Sequence, residues 1–167
     1  MYQSTQMFLE RYGELANSTA AYLDALTDEA LAQPVADGHR TLGRIAWHLV
    51  QSIPEMMGKT GLSPAGPGEE EPVPATAAAI ARAYRETAAS LLEQVREHWS
   101  DETLEIEDEM YGNRWKRGLT LYILDIHEVH HLGQMAVLMR QAGLPVPGVF
   151  GPSKEDWAKI GMEPPTI

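Results

Sequence analysis

The chain has 167 residues and no cysteine, and its 13 lysines and arginines against 24 aspartates and glutamates give a formal net charge of −11. This length suits a single domain, 1–167, built around one core. The lack of cysteine excludes disulfides and thiolate metal sites, and the acidic charge disfavours nucleic acids and anionic membranes as partners. The sequence has neither a leader pattern nor a run of about 18 apolar residues, so we expect a cytoplasmic protein.

Four segments repeat apolar residues with the period of an α-helix. This pattern predicts an all-α fold in which four long helices pack as a bundle around one core. The segments run through Phe8–Leu26, Leu42–Met56, Ile80–Val95 and about Gly118–Ala142.

Residues with strong capping preferences mark several helix ends. Thr41 is the expected N-cap of the second helix, and Gly143 stands where the fourth helix must stop. Beyond a stretch rich in Pro and Gly, Ser153 followed by Asp156 predicts a short last helix that ends near Ile160.

Two segments break the helical pattern. Residues 58–74 are rich in Gly, Pro and Glu and form a longer connection than usual, which indicates either disorder, the alternative we favour, or a functional loop near the second helix. Residues 104–115 alternate weakly around Gly112-Asn113, a pair suited to a tight turn, and predict a small two-stranded hairpin.

The fourth helix carries His127, His130 and His131 beside Glu128. The side chains of His127 and His131 project together, because four residues advance a helix by about 6 Å and return to within about 40° of the same direction. Each buried imidazole without a partner would cost about a few kcal/mol, and a metal ion supplies that partner. The spacing therefore predicts two metal ligands.

A third ligand must come from elsewhere in the fold, because two histidines on one helix form a weak chelate. His48 is the best candidate, since its helix turns an apolar stripe to the core and carries polar residues, among them Glu55, on the adjoining stripe. His39 and His98 are interpreted as surface or cap residues. His130 points away from the pair and is interpreted as a hydrogen-bonding neighbour.

The segment His127–His131 also matches H-E-x-x-H, the zinc-metalloprotease helix in which the glutamate, here Glu128, is the general base. The longer form of that motif has Gly three residues after the second His and a third His three residues further on. Here Gln134 holds the first of those places, Gly133 is one place early, and no histidine follows His131. A zinc metalloprotease is therefore the weaker alternative.

A broader pattern resembles the DinB-like superfamily along essentially the whole chain. It combines His48 on the second of four helices with H-x-x-H-H-x-G-Q over His127–Gln134, then the segment Met139–Pro145 and the tail Pro147–Trp157. The resemblance implies an up-up-down-down bundle, frequent homodimers, and a variable divalent ion, commonly nickel or zinc. By position, the resemblance implies that His48, His127 and His131 are the metal ligands. Three neutral imidazoles also suit Fe²⁺.

The resemblance implies a small-molecule enzyme without deciding its reaction. Related proteins include S-transferases and an isomerase that use low-molecular-weight thiols, and others described as metal-dependent hydrolases. A thiol cosubstrate needs a cation for its carboxylates, for which Arg44 is the candidate, whereas a hydrolase needs a base, for which Glu55 and Glu128 are candidates. A non-catalytic, metal-stabilised dimer is a further alternative. Candidates for pocket walls are Tyr12, Trp47, Gln134 and Trp157.

Overall fold

Apolar periodicity and capping residues define the helices of the computed structural model, which describes residues 1–166. The predicted all-α fold is confirmed: four long helices pack as a bundle, and a short helix follows near the C-terminus. Within residues 1–166, no helix is both long and apolar enough to cross a membrane. The helices are α1 Thr5–Asp24, α2 Leu42–Gly58, α3 Ala77–His98, α4 Arg117–Gln141 and α5 Lys154–Lys159.

Side-chain caps begin α1, α2 and α3. The hydroxyl oxygens of Ser4, Thr41 and Thr76 each accept a hydrogen bond from the backbone N–H of the residue three positions further along the chain. Gly143, with a φ of 76°, adopts the left-handed conformation just after α4. Ser153 and Asp156 form the expected capping box of α5. The helix ends predicted at Thr41, Gly143 and Ser153 are therefore confirmed.

The core consists of side chains that face inward at helical spacing. Burying a Leu, Ile or Phe side chain stabilises a fold by about 1.5–3 kcal/mol, so these residues supply most of the driving force. Buried members from the four long helices include Phe8, Leu15, Ile45, Leu49, Ile53, Ile80, Leu91, Leu121 and Met135.

Hydrogen bonds at the helix ends show that α1 and α3 are antiparallel. The Thr5 N–H, at the start of α1, donates to Asp101 just beyond α3 at 2.7 Å. At the other end of the pair, the Ala77 N–H at the start of α3 donates to Asp28, just beyond α1.

The helices α1 and α4 run in the same direction. The Tyr2 N–H, just before α1, donates to the Gly118 carbonyl at the start of α4 at 3.0 Å. Further along both helices, the Thr19 hydroxyl donates to Glu128 at 2.5 Å. Because α1 is antiparallel to α3, the last helix of the bundle is also antiparallel to α3.

The direction of α2 follows from its contact with the segment before α4. Glu55, near the end of α2, accepts a hydrogen bond from Tyr111, which precedes α4, so α2 is antiparallel to α4. The order is therefore up-down-down-up, and the expected up-up-down-down order is wrong. An up-up-down-down bundle needs two connections that cross its length, whereas this bundle has one.

The connection that crosses the bundle is the segment between α2 and α3. It runs back along α3, where the Ser63 N–H donates to Gln94 at 3.1 Å and the Ala65 N–H donates to Ser90 at 2.9 Å. Residues 58–74 thus follow a defined path against the helices, which corrects the prediction of disorder.

A small hairpin joins α3 to α4, as predicted. Its strands β1 Glu107–Met110 and β2 Asn113–Lys116 are antiparallel, with Met110 opposite Asn113. The turn residues are Tyr111 and Gly112, with φ of 52° and 79°, so the predicted turn at Gly112-Asn113 is wrong by one residue. Positive φ at both central residues is the type I′ geometry that matches strand twist.

We expect Gly118→Ala to destabilise the fold by more than about 2 kcal/mol, because the new methyl group would overlap the Tyr2 backbone carbonyl. Gly13→Ala is the control: its methyl group meets nothing within 4 Å, and Ala is favoured over Gly in a helix by about 0.5–1 kcal/mol. Urea unfolding of both variants measures the difference. Equal stability of the two would contradict the close approach of Tyr2 to α4.

Candidate metal centre

Three histidine rings meet where α2 faces α4. The Nε2 atom of His127 lies 3.2 Å from Nε2 of His48 and 3.1 Å from Nε2 of His131. One nitrogen of each ring lies within 4.8 Å of the other two, close enough for all three to hold one ion. The structure thus brings together the three predicted ligands, while His39 and His98 lie exposed elsewhere, as predicted.

Helix geometry explains the convergence of the rings. His127 and His131 are one turn apart on α4, and their ring centroids are 4.4 Å apart. His48 lies in the first half of α2, and its ring approaches the other two edge-on, with centroid distances of 5.0 and 4.9 Å. Two antiparallel helices therefore deliver three imidazoles into one small volume.

Hydrogen bonds at the outer nitrogens orient two of the rings. Gln134 Oε1 lies 2.7 Å from Nδ1 of His131, and Ser52 Oγ lies 3.5 Å from Nδ1 of His48. A proton on Nδ1 that these oxygens accept leaves the Nε2 lone pair of each ring directed at the centre. Nδ1 of His127 is buried and has no hydrogen-bond partner within residues 1–166.

Burial keeps the rings neutral. The pKa of His48 and of His127 is lowered from 6.5 to about 4. Burial is the largest cause of this shift, and the neighbouring histidine rings contribute the next largest part. The pKa of His131 is lowered as well, again mainly by burial. Converging lone pairs repel one another unless a proton or a cation lies between them. Since protons are held weakly here, the donor set fits a divalent cation such as Zn²⁺, Ni²⁺ or Fe²⁺.

An open cavity of about 660 Å³ borders the histidine cluster, within the usual size range for small-molecule sites. One polar face of α2 forms its long wall, because residues at this spacing lie on the same side of a helix. The α2 residues in the wall are Arg44, His48, Gln51, Ser52, Glu55 and Met56. The remaining walls contain Arg40, Glu69, Glu70, Tyr111, Ile123 and His127.

Gln51 attaches the loop that covers one side of this cavity. Its buried side chain accepts from Arg44 at 2.6 Å and donates to backbone carbonyls of the segment 68–71 at 2.7 to 3.1 Å. A buried amide without partners would cost about 1–3 kcal/mol, so these bonds hold the loop in place. They keep the Arg44 guanidinium along α2 and bring Glu69 and Glu70 to the cavity.

Glu55 supplies a carboxylate to the cavity wall. The Tyr111 hydroxyl donates to it at 2.5 Å, and the Lys59 ammonium lies 3.0 Å from its other oxygen. Glu55 follows His48 by two helical turns, which is about 10 Å along the axis. The candidate base predicted from the sequence therefore faces the same cavity as two of the histidines.

Glu128 does not belong to this cavity. Its side chain is 2 % exposed and accepts hydrogen bonds from Thr19 at 2.5 Å, from Tyr12 at 3.1 Å and from Tyr84. Burial raises its pKa. This placement removes Glu128 from the candidate bases, and it counts against the metalloprotease alternative, in which the glutamate must face the metal site.

Of the five other residues predicted to line or serve a pocket, Arg44 alone borders the cavity. Trp47 donates to a backbone carbonyl at 3.0 Å and lines a separate cavity of about 270 Å³. Gln134 lies between His131 and His130, 3.1 Å from the latter ring, so it orients a histidine instead of lining a wall. Tyr12 is buried with Glu128, and Trp157 of α5 is not a lining residue. The pocket-wall predictions for Tyr12, Trp47, Gln134 and Trp157 are corrected accordingly.

Several lining residues were not predicted, among them Arg40, Glu69, Glu70 and Tyr111. Arg40 lies before the N-cap Thr41 and outside α2, so the helical spacing of Arg44 and His48 does not indicate its position. Glu69 and Glu70 lie in the loop expected to be disordered. Tyr111 reaches the cavity from the tip of the hairpin, and no pattern in the sequence indicates that approach.

Comparison with known proteins decides the family. The model of the DinB family matches residues 1–165. This chain belongs to the DinB family. The DinB fold thus accounts for essentially the whole chain, including the three histidines on α2 and α4.

Individual relatives agree with DinB membership. A Bacillus subtilis (strain 168) protein named "Uncharacterized protein YrdA" is 42% identical over 167 residues, which cover 100% of both chains. The crystal structure of a DinB-like protein from Bacillus cereus ATCC 10987 matches with a TM-score of 0.87 and 43% identity, covering 90% of this chain and 100% of that one. A DinB-like protein, YjoA, from Bacillus subtilis shares the fold at a TM-score of 0.64 and 18% identity, covering 83% and 95%.

We expect the histidine cluster to make the metal-free protein lose stability as the pH falls from about 6.5 to about 4. Over that range the unfolded chain takes up protons on His48 and His127 that the folded chain binds weakly, so acid favours unfolding. Urea unfolding with a chelator, at pH 7 and pH 5, measures the change. A double variant, His48→Gln with His127→Gln, should lose less stability than the wild type.

The control for this experiment is His98→Gln, which changes an exposed histidine and should keep the pH dependence of the wild type. Burial raises the pKa of Asp125 to about 6, so Asp125 makes the folded protein gain stability as the pH falls. This contribution is the same in every variant and therefore cancels in the comparison. Identical pH dependence of the double variant and the wild type would contradict the lowered pKa values.

Proposed function

We propose that this DinB-family protein is a divalent-metal-dependent enzyme acting on a small molecule, with His48, His127 and His131 as metal ligands. The convergence of three imidazole nitrogens beside an open cavity supports this proposal. Structural zinc sites close with four protein ligands, whereas three ligands leave coordination positions for water or substrate. Zn²⁺ or Ni²⁺ is the proposed ion, and Fe²⁺ suits the same donors.

Hydrolysis is the reaction that we propose first. A divalent ion supplies Lewis acidity, which activates water or a thiol near neutral pH. Glu55 is the residue proposed to take up the proton, because its carboxylate faces the cavity and is held by Tyr111 and Lys59. A positioned general base typically contributes about 10²–10⁴-fold to the rate.

Transfer to or from a low-molecular-weight thiol is the second candidate. The chain has no cysteine, so a thiol would have to enter as a cosubstrate. Arg44 supports this second reaction, because its guanidinium borders the cavity and can bind a carboxylate of such a thiol compound.

Elemental analysis of protein prepared without a His-tag tests the metal site. We expect about one divalent ion per chain in the wild type, loss of the ion in His48→Ala because one of three ligands is gone, and retention in His98→Gln, whose exposed side chain lies outside the cluster. With zinc bound, p-nitrophenyl acetate is the ester probe, and Glu55→Gln should slow its turnover by about 100-fold. Glu97→Gln, at an exposed position, is the matched control.

Different results select among the alternatives. Metal retained in His48→Ala would overturn the ligand assignment. Bound metal with no ester turnover, together with a spectral change of the cobalt-loaded protein on adding a thiol such as cysteine, would favour the transferase. Bound metal that raises the melting temperature without turnover of esters or response to thiols would indicate a non-catalytic, metal-stabilised protein.

We further propose that the chain forms a homodimer through one face of α4. Tyr122, Ile126 and Val137 are 42%, 42% and 58% exposed, and they lie within about 60° of one another around the helix. Gly133 lies on the same face, with open space around its Cα, and allows close approach of a second helix. A stripe of this length is long enough to pack against its copy across a two-fold axis.

We expect light scattering after gel filtration to give twice the 18.5 kDa mass of one chain. Ile126→Glu should give the monomer mass, because it places a charge in the centre of the stripe. Met7→Glu, at another exposed apolar position on α1, should leave the mass unchanged. A monomeric wild type, or a dimeric Ile126→Glu, would rule out this interface.

A further inference from the structure

Four charged side chains at the cavity have no ion-pair partner within residues 1–166. They are Arg40, Arg44, Glu69 and Glu70. Glu55, the remaining charged carboxylate of the wall, pairs with Lys59. Two positive and two negative side chains thus face one cavity without forming an ion pair among the described residues, so each can pair with a charged group of a ligand.

The two arginines lie at the histidine side of the cavity. Arg44 is one turn before His48, and Gln51 accepts from only one of its terminal nitrogens, so its other N–H groups are available to a ligand. Arg40 is exposed and borders the same cavity as Arg44 and His48. Paired guanidinium groups match the geometry of a carboxylate.

The two glutamates approach from the loop. Both side chains are exposed, and the backbone that carries them is tied to α2 by the Gln51 amide. Their carboxylates are held near the cavity by this anchor, although the loop has no regular secondary structure. Two carboxylates attract an ammonium group and repel a second anion.

We propose, on the basis of the proposed function, that the substrate or cosubstrate of this cavity is a zwitterion, with a carboxylate bound by Arg40 and Arg44 and an ammonium group bound by Glu69 and Glu70. A dianion of the same size meets the repulsion of the glutamates, and a diamine meets that of the arginines. The cavity of about 660 Å³ has room for both ends of such a molecule. Such recognition is compatible with either of the two proposed reactions.

Three probes of equal chain length test the charge pattern: 6-aminohexanoate, adipate and 1,6-diaminohexane. Binding is measured by NMR titration of the metal-free and of the zinc-loaded protein, at millimolar concentrations suited to weak ligands. We expect 6-aminohexanoate to bind at least about fivefold more tightly than either of the other probes, in both forms of the protein. Shifted resonances should include those of Arg44 and of the loop 68–71.

Two charge-removing variants and one control complete the test. Arg40→Gln and Glu70→Gln should each weaken 6-aminohexanoate binding by about fivefold or more, because each removes one ionic contact. Arg96→Gln changes an exposed arginine of α3 outside the cavity and should leave binding unchanged.

The proposal is overturned if adipate or the diamine binds as tightly as the zwitterion, if none of the three binds, or if Arg40→Gln and Glu70→Gln bind like the wild type. Binding that requires zinc and ignores both variants would place the carboxylate on the metal and also overturn it. Because the metal-free protein is measured, failure of this inference is distinct from failure of the metal site, which metal content and ester turnover report.

Discussion

A carboxylate buried in the middle of the bundle sets the orientation on which the histidine site depends. Glu128 of α4 accepts hydrogen bonds from Thr19 and Tyr12 of α1 and from Tyr84 of α3. Leaving such a group without partners would cost more than a typical hydrogen bond gains, so α4 is held at one rotation about its axis. Adjacent helix positions differ by about 100°, and the rotation that buries Glu128 turns its neighbour His127 toward α2.

The rotation of α4 and the polar face of α2 together create a site with two distinct parts. On the inner side, three neutral imidazoles converge where burial disfavours protons and a divalent ion fits. On the outer side, charged side chains of both signs surround an open cavity. The Gln51 amide links two sides of the outer part, because it binds both the arginine of α2 and the loop that carries the glutamates. The proposed metal ligand His48 and the proposed ligand-binding residue Arg44 therefore share one helix.

Sequence patterns predicted the features that depend on residues close together in the chain. Apolar periodicity located the four long helices, Thr41 and Gly143 marked two of their ends, and the spacing of His127 and His131 placed two rings on one face of α4. His48 was identified because polar residues recur on an otherwise apolar helix. Each of these inferences uses contacts within one turn or one helix, where the geometry of the backbone is the same in every protein.

The sequence by itself therefore determined the helices, the caps at Thr41, Gly143 and Ser153, and the three histidines, together with the family resemblance. Only the tertiary structure decided the up-down-down-up order, the burial of Glu128 away from the cavity, and the arrival of Tyr111, Glu69 and Glu70 at its walls. The physical reason is that these features depend on which helices become neighbours and how each is rotated. Helix neighbours and rotations are set by packing between residues far apart in the chain, which no local pattern records.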